Sequence, residues 1–111
     1  MLKIGIGYDV HQLQEGELLS IGGVLIPSDL GSVGHSDGDA LSHAIVDALL
    51  GAAGLGDIGK LFPSNDAAWK DANSTIFLND VAGRVKKARF DINNIDATII
   101  LQEPKIGMYI D

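Results

Sequence analysis

His35-Ser36-Asp37-Gly38-Asp39-Ala40-Leu41-Ser42-His43-Ala44-Ile45-Val46-Asp47-Ala48-Leu49-Leu50-Gly51-Ala52-Ala53 is the stretch on which the fold turns. Ser36 starts a predicted helix, and Asp39, three residues on, closes a capping-box-like pattern. The helix is predicted to run to about Ala53, where Gly54 suits a C-terminal stop. Apolar residues cover most of its circumference, which marks a buried helix. Asp39, His43 and Asp47 form one narrow polar stripe at i, i+4 and i+8. A solvated face is the plain reading of that stripe. Polar groups on a buried helix need partners, however, and a metal or a polar ligand is one way to supply them. For His43 taken alone, a satisfied structural histidine is the alternative.

Upstream, Leu2, Ile4, Ile6 and Tyr8 alternate with Lys3, Gly5, Gly7 and Asp9, a period of two that predicts a strand. Asp9 and His11 are two apart, so an extended backbone points them the same way. Alone they are a weak signal and read more readily as two surface polar residues at a strand exit. With His43 they make three candidate ligands for one divalent metal. Two imidazoles and a carboxylate suit a catalytic zinc, whose fourth position stays open to substrate. The chain therefore reads as a metal-dependent enzyme acting on an anionic small molecule. Between these motifs, Leu18 to Ile21 and Val24 to Ile26 flank Gly22-Gly23, a hairpin signal. Pro27 to Gly34 is turn-rich and predicted to be irregular.

Downstream, Gly54-Leu55-Gly56-Asp57-Ile58-Gly59-Lys60-Leu61-Phe62-Pro63 holds two false matches. The spacing G-x-G-x-x-G is present, and so is G-x-x-x-x-G-K, but Leu61 stands where a P-loop needs Ser or Thr. Both motifs need a preceding strand and a following helix. Here a helix precedes and a proline follows, so neither a dinucleotide nor an NTPase site is expected. Asn73 or Ser74 caps a second predicted helix, reaching about Arg89 on an apolar stripe of Ile76, Phe77, Val81, Val85 and Ala88. Ile95 to Leu101 predicts a strand, and Gln102 to Gly107 a loop.

Composition narrows the class. A chain of 111 residues holds one domain at most. At 46% hydrophobic it can bury a small core, and oligomerisation would help it. It has no cysteine, so a metal must be held by histidine and carboxylate. A net charge of −7 argues against nucleic acid as partner. A phosphate-bearing ligand must then be captured locally, by a cation and backbone N–H groups. No segment is long and apolar enough to span a membrane, and no secretory signal is visible.

Four motifs occur in order: Asp9-Val10-His11; His35-Ser36-Asp37-Gly38-Asp39 with His43; Gly56 to Pro63; and Pro104-Lys105 after a strand. Together they resemble the 2-C-methyl-D-erythritol 2,4-cyclodiphosphate synthase family of the non-mevalonate isoprenoid pathway, over essentially the whole chain. The resemblance implies an α+β fold, a mixed β-sheet packed against helices in one domain of residues 1–111, assembled as a homotrimer with active sites between subunits. It implies a phosphorus-oxygen lyase that converts 4-diphosphocytidyl-2-C-methyl-D-erythritol 2-phosphate into the cyclic diphosphate and CMP. Asp9, His11 and His43 would hold zinc, and a second divalent ion, magnesium or manganese, would arrive with substrate. Asp9, Val10 and His11 would also touch substrate. His35 and Ser36 would contact its phosphate, with His35 stabilising the transition state. Asp57, Ile58 and Gly59, with Phe62, Pro63, Ser64, Asn65 and Asp66, would line the methylerythritol side. Leu101, Gln102, Glu103, Pro104, Lys105, Ile106 and Gly107 would form the cytidine pocket. The expected location is the bacterial cytoplasm, or the plastid stroma.

Family members continue through a further helix and strand, bearing a threonine and the glutamate that holds the second ion. Residues 1–111 do not include these, and a longer natural chain is the expectation. A non-catalytic, metal-dependent cytidine-nucleotide-binding module is the alternative function. A generic metal phosphohydrolase is the enzymatic alternative, since the ligand set alone does not choose the substrate. A purely structural oligomeric domain is the third.

Overall fold

Gly22 and Gly23, at φ 60° and 80°, turn the chain through the expected hairpin; positive φ at both central residues is what a two-residue type I′ turn requires. The computed structural model describes residues 1–34, 36–63, 65–70 and 72–111. Its elements are β1 (Leu13–Glu15), β2 (Leu19–Ile21), β3 (Val24–Ile26), β4 (Leu30–Ser32), α1 (Ala40–Ala53), α2 (Ile58–Leu61) and α3 (Thr75–Lys87). Short 3₁₀ turns cover Ala67–Trp69 and Gly107–Tyr109. The class is α+β, as expected.

The sheets are smaller than expected. Among the described residues there is no mixed sheet but two antiparallel pairs, β2 with β3 and β1 with β4. The irregular stretch expected over Pro27 to Gly34 holds β4, whose Leu30 pairs with Glu15. Gly31 makes that pairing possible, because a Cβ there would run into the Glu17 carbonyl. The strands expected over 2–8 and 95–101 carry no ladder. Each has strand-like alternation but no hydrogen-bonded neighbour, and pairing rather than pattern makes a strand. Both segments instead line one groove of about 620 Å³, with Leu41, Ala44 and Ala48 of α1. The 2–8 segment lies hard against that helix. A Cβ on Gly5 would meet the Ala48 carbonyl, and one on Gly7 the Ala44 carbonyl.

Helix α1 starts at Ala40, four residues later than expected. Its N-cap is Asp39, whose carboxylate accepts from the Ser42 N–H at 3.0 Å. Gly38 at φ 69° breaks the helical path before it, so Ser36 cannot be a cap. The C-terminal stop at Gly54 is as expected, with Gly54 in the left-handed region at φ 69°. The α1 circumference is divided. Val46 and Leu50 are fully buried and join Phe62, Phe77, Val81 and Val85 in the core between α1 and α3. The Phe62 and Phe77 rings lie 4.6 Å apart, centroid to centroid, within the usual range for aromatic pairs. The face with Leu41, Ala44 and Ala48 looks into the groove.

Candidate metal site and adjoining pocket

Each residue of the α1 polar stripe has a separate partner. Asp39, wholly buried, accepts from Gly22 N–H at 2.9 Å and Gly23 N–H at 2.7 Å, tying the hairpin to the helix start. Asp47, two turns on, accepts from Ile58 N–H at 2.7 Å and so fixes the start of α2. Asp57 is the N-cap of that one-turn helix and accepts from Lys60 N–H at 2.8 Å. Between them lies His43, facing the segment that brings in Asp9 and His11.

These three side chains converge. Asp9 Oδ2 stands 2.7 Å from His11 Nε2 and 3.3 Å from His43 Nδ1, and the two ring nitrogens are 3.3 Å apart. His11 Nδ1 donates to the Val33 carbonyl at 2.8 Å. A carbonyl can only accept, so the proton of a neutral His11 sits on Nδ1 and the Nε2 lone pair points into the cluster. Asp9 Oδ2 is buried, yet meets no hydrogen-bond donor in proper geometry among the described residues. Burial pushes the Asp9 carboxyl up, but His11 and His43 beside it outweigh this and hold it far below the usual carboxylate range. His11 is raised above its usual 6.5 by the Asp9 carboxylate, against burial and with help from the Val33 carbonyl.

The set fits a divalent ion. One carboxylate oxygen and two ring nitrogens lie within 4.8 Å of one another. Bonds of ~2.0–2.1 Å in a tetrahedral site put ligand atoms roughly 3.3 Å apart, the spacing found for two of the three pairs. Asp9 Oδ2, buried without a donor, is the kind of atom a cation satisfies.

A pocket of about 490 Å³ opens beside the cluster, lined by Asp9, His11, Ser36, His43, Ile58, Gly59, Phe62, Pro63, Asn65 and Phe77. It brings together most of the residues singled out on the metal, phosphate and methylerythritol sides. Val10, Leu101 and Gln102 line the groove instead. Asp57, Asp66 and the stretch from Glu103 to Gly107 line neither cavity. His35 and Ser64 lie outside the described residues. Phe77, read from sequence only as part of a helix stripe, also lines the pocket. Ser74, read only as a cap, touches His43 through its hydroxyl at 2.8 Å. No sequence signal distinguishes either role, since apolar stripe and cap are the common uses of those residues.

A carboxylate and two imidazoles at the head of a pocket, carried on a small α+β scaffold, define the protein as one with a candidate divalent-metal site of the catalytic kind. Comparison with known proteins narrows this. The model of the YgbB family matches residues 2–111. A 2-C-methyl-D-erythritol 2,4-cyclodiphosphate synthase of Salinibacter ruber is 53% identical over 110 residues, covering 99% of this chain and 70% of the relative. That of Burkholderia vietnamiensis is 57% identical over 109 residues, covering 98% and 69%. A solved structure of such a synthase in a CDP-bound form superposes with a TM-score of 0.80 at 42% identity, covering 96% of this chain and 71% of the other. The chain belongs to the YgbB family, the family of the 2-C-methyl-D-erythritol 2,4-cyclodiphosphate synthases, which are enzymes. No helix among the described residues is long and apolar enough to cross a membrane.

Proposed function

We propose that the protein converts 4-diphosphocytidyl-2-C-methyl-D-erythritol 2-phosphate into 2-C-methyl-D-erythritol 2,4-cyclodiphosphate and CMP. The observation that carries this is the convergence of Asp9, His11 and His43 at the head of a pocket shared with Ser36, Ile58, Gly59 and Phe62. Family membership supports the cyclisation.

Asp9, His11 and His43 would hold one divalent ion, read as zinc. When bound, the ion supplies Lewis-acid polarisation of the β-phosphate and neutralises its charge. An oxygen of the substrate's 2-phosphate attacks the β-phosphorus and forms the new P–O–P link. The bond from the β-phosphorus to the oxygen bridging to the α-phosphate breaks, and CMP leaves with that oxygen and the electron pair. No protein nucleophile is needed. The pocket's work is to fold the substrate back on itself, and positioning of this kind can supply up to ~7–11 kcal/mol of a barrier. The Ser36 hydroxyl and, from sequence, His35 contact phosphate. Ile58 and Gly59, held through Asp47, line the methylerythritol side with Phe62, Pro63 and Asn65, and Asp57, Ser64 and Asp66 are assigned to that side from the family resemblance alone.

The cytidine pocket is assigned to Leu101 through Gly107, with the CDP-bound relative in support of a cytidine nucleotide. A second divalent ion, magnesium or manganese, would accompany the diphosphate. Of the cytidine stretch, Leu101 and Gln102 line the groove that Asp9 and His11 also line, and the family resemblance is what supports active sites shared between subunits of a homotrimer. The exposed apolar residues Leu2, Ile4, Ile6, Tyr8 and Val10 offer a surface for such packing. A cytoplasmic location completes the reading.

The test is CMP release from the cytidyl substrate by protein stripped with a chelator and reloaded with zinc. Release with the cyclic diphosphate as co-product, lost on stripping and restored by zinc, is the expected result. Nucleotide binding without turnover, or a linear hydrolysis product, would overturn the cyclase reading.

A further inference from the structure

We propose that Ser74, oriented by Asp37, is the positioning residue that fixes the His43 tautomer and so turns the Nδ1 lone pair toward Asp9 and His11. The inference rests on the reading that those three residues hold a divalent ion.

Ser74 sits at the N-cap of α3, but its hydroxyl makes no cap hydrogen bond. The neighbouring Asn73 takes that work, accepting from Thr75 N–H at 3.0 Å. Ser74 is wholly buried and turned inward. Its hydroxyl donates to Asp37 Oδ1, and its backbone N–H donates to Asp37 Oδ2 at 2.7 Å. A hydroxyl has one proton, and the carboxylate takes it. Toward His43 Nε2, 2.8 Å away, Ser74 Oγ can then only accept. The His43 proton is thereby placed on Nε2, and Nδ1 is left as a bare lone pair 3.3 Å from both Asp9 Oδ2 and His11 Nε2. Ser36 Oγ, 3.1 Å from the same Nε2, is a second and longer contact. His11 reaches the same result through the Val33 carbonyl. A partner on the far nitrogen that sets ring tautomer and orientation is a general need of metal-binding histidine. Here a serine locked by an aspartate meets it.

Two variants separate this role from packing. Ser74→Ala removes the nearest acceptor and leaves Ser36 Oγ at 3.1 Å and the Asp37 carboxylate at 3.9 Å. Asp37→Asn keeps the shape but reverses the polarity. Its amide oxygen takes the Ser74 N–H, its NH₂ faces Ser74 Oγ and the Asp39 N–H, which loses its 3.0 Å acceptor, and the hydroxyl proton is freed to turn toward His43 Nε2. The first readout is the His43 tautomer in metal-free protein at neutral pH, by imidazole ¹⁵N NMR. Wild type is expected as the Nε2–H form, Ser74→Ala as a mixture, and Asp37→Asn shifted toward Nδ1–H. The second is Zn²⁺ affinity by competition with a chromophoric chelator, expected to fall roughly 10–100-fold in both variants. Folded variants with the wild-type tautomer and wild-type zinc affinity would overturn the proposal. If wild type itself fails to bind zinc, the metal reading falls, while the NMR readout still decides whether Ser74 sets the tautomer. Should Ser74→Ala not fold, Asp37→Asn carries both measurements.

Discussion

The Asp47 carboxylate accepts a 2.7 Å hydrogen bond from the Ile58 backbone N–H, joining the middle of α1 to the first residue of α2. That bond holds the segment from which Ile58, Gly59 and Phe62 reach the pocket. Asp47→Ala should cost about 1.5–3 kcal/mol, the range for hydrogen bonds to charged groups, in urea unfolding. Because the segment is positioned rather than reactive, substrate KM should rise more than kcat falls. A variant with unchanged stability and unchanged KM would show that the bond holds nothing in place.

Asp39 carries more. It is wholly buried and accepts from Gly22, Gly23 and Ser42 N–H groups. Asp39→Ala removes a buried helix cap, worth ~1 kcal/mol, and two hydrogen bonds from the hairpin to a charged group, worth ~1.5–3 kcal/mol each. Loss of the folded state, or destabilisation of more than about 3 kcal/mol, is expected from circular dichroism melts. A loss below about 1 kcal/mol would mean that water replaces the carboxylate.

Gly7 bears on the metal site from two residues away. A Cβ there meets the Ala44 carbonyl, so Gly7→Ala must lift the 2–8 segment off α1. Asp9 moves with it. Misplacement of about 1 Å can cost up to ~100-fold in rate. Turnover and zinc affinity should both fall, with the α1–α3 core intact by near-ultraviolet circular dichroism. Unchanged zinc affinity would mean that the segment is free to slide.

The pH response of the metal-free protein follows from two opposed shifts. His11 is raised above 6.5 by Asp9. Its contribution is present below pH 6.5 and is lost as pH rises through the raised value. Asp9 is depressed below 3.8, so its contribution is present above 3.8 and lost only as pH falls toward the depressed value. Chelator-treated protein should therefore lose stability from mildly acid to alkaline pH, measured as Tm. Zinc should reverse that loss, because it binds the deprotonated ligands of the folded state. His11→Asn should flatten the alkaline slope. A slope unaffected by that change would assign the titration elsewhere.

Local chemistry was legible in the sequence and long-range pairing was not. Gly22-Gly23 announced the hairpin because only positive φ satisfies that turn, and Gly54 announced the helix end for the same reason. The candidate ligand trio was readable because Asp9 and His11 share a face of extended chain and His43 sits on a polar stripe of a largely apolar helix. The start of α1 was misplaced because Ser36 and Asp39 are both good caps, and Gly38 decides between them only once its φ is known. Residues 2–8 and 95–101 have strand composition, but no local pattern reveals whether a ladder partner is present. Ser74 illustrates a different limit: a cap-type residue at a cap position whose hydroxyl turns inward, toward partners 31 and 37 positions away in sequence.

His11 and His43 are 32 positions apart in sequence, and Asp9 and His11 belong to a segment held against α1 with no ladder hydrogen bonds. An ion shared by these three residues is a cross-link as much as a reagent. It closes a long loop through the hairpin, and closing that loop removes freedom mainly from the unfolded chain. With the proposed ion bound, the group that polarises phosphate would also be the buckle that fastens residues 2–11 to the helix, and catalysis and tethering would share one bond set.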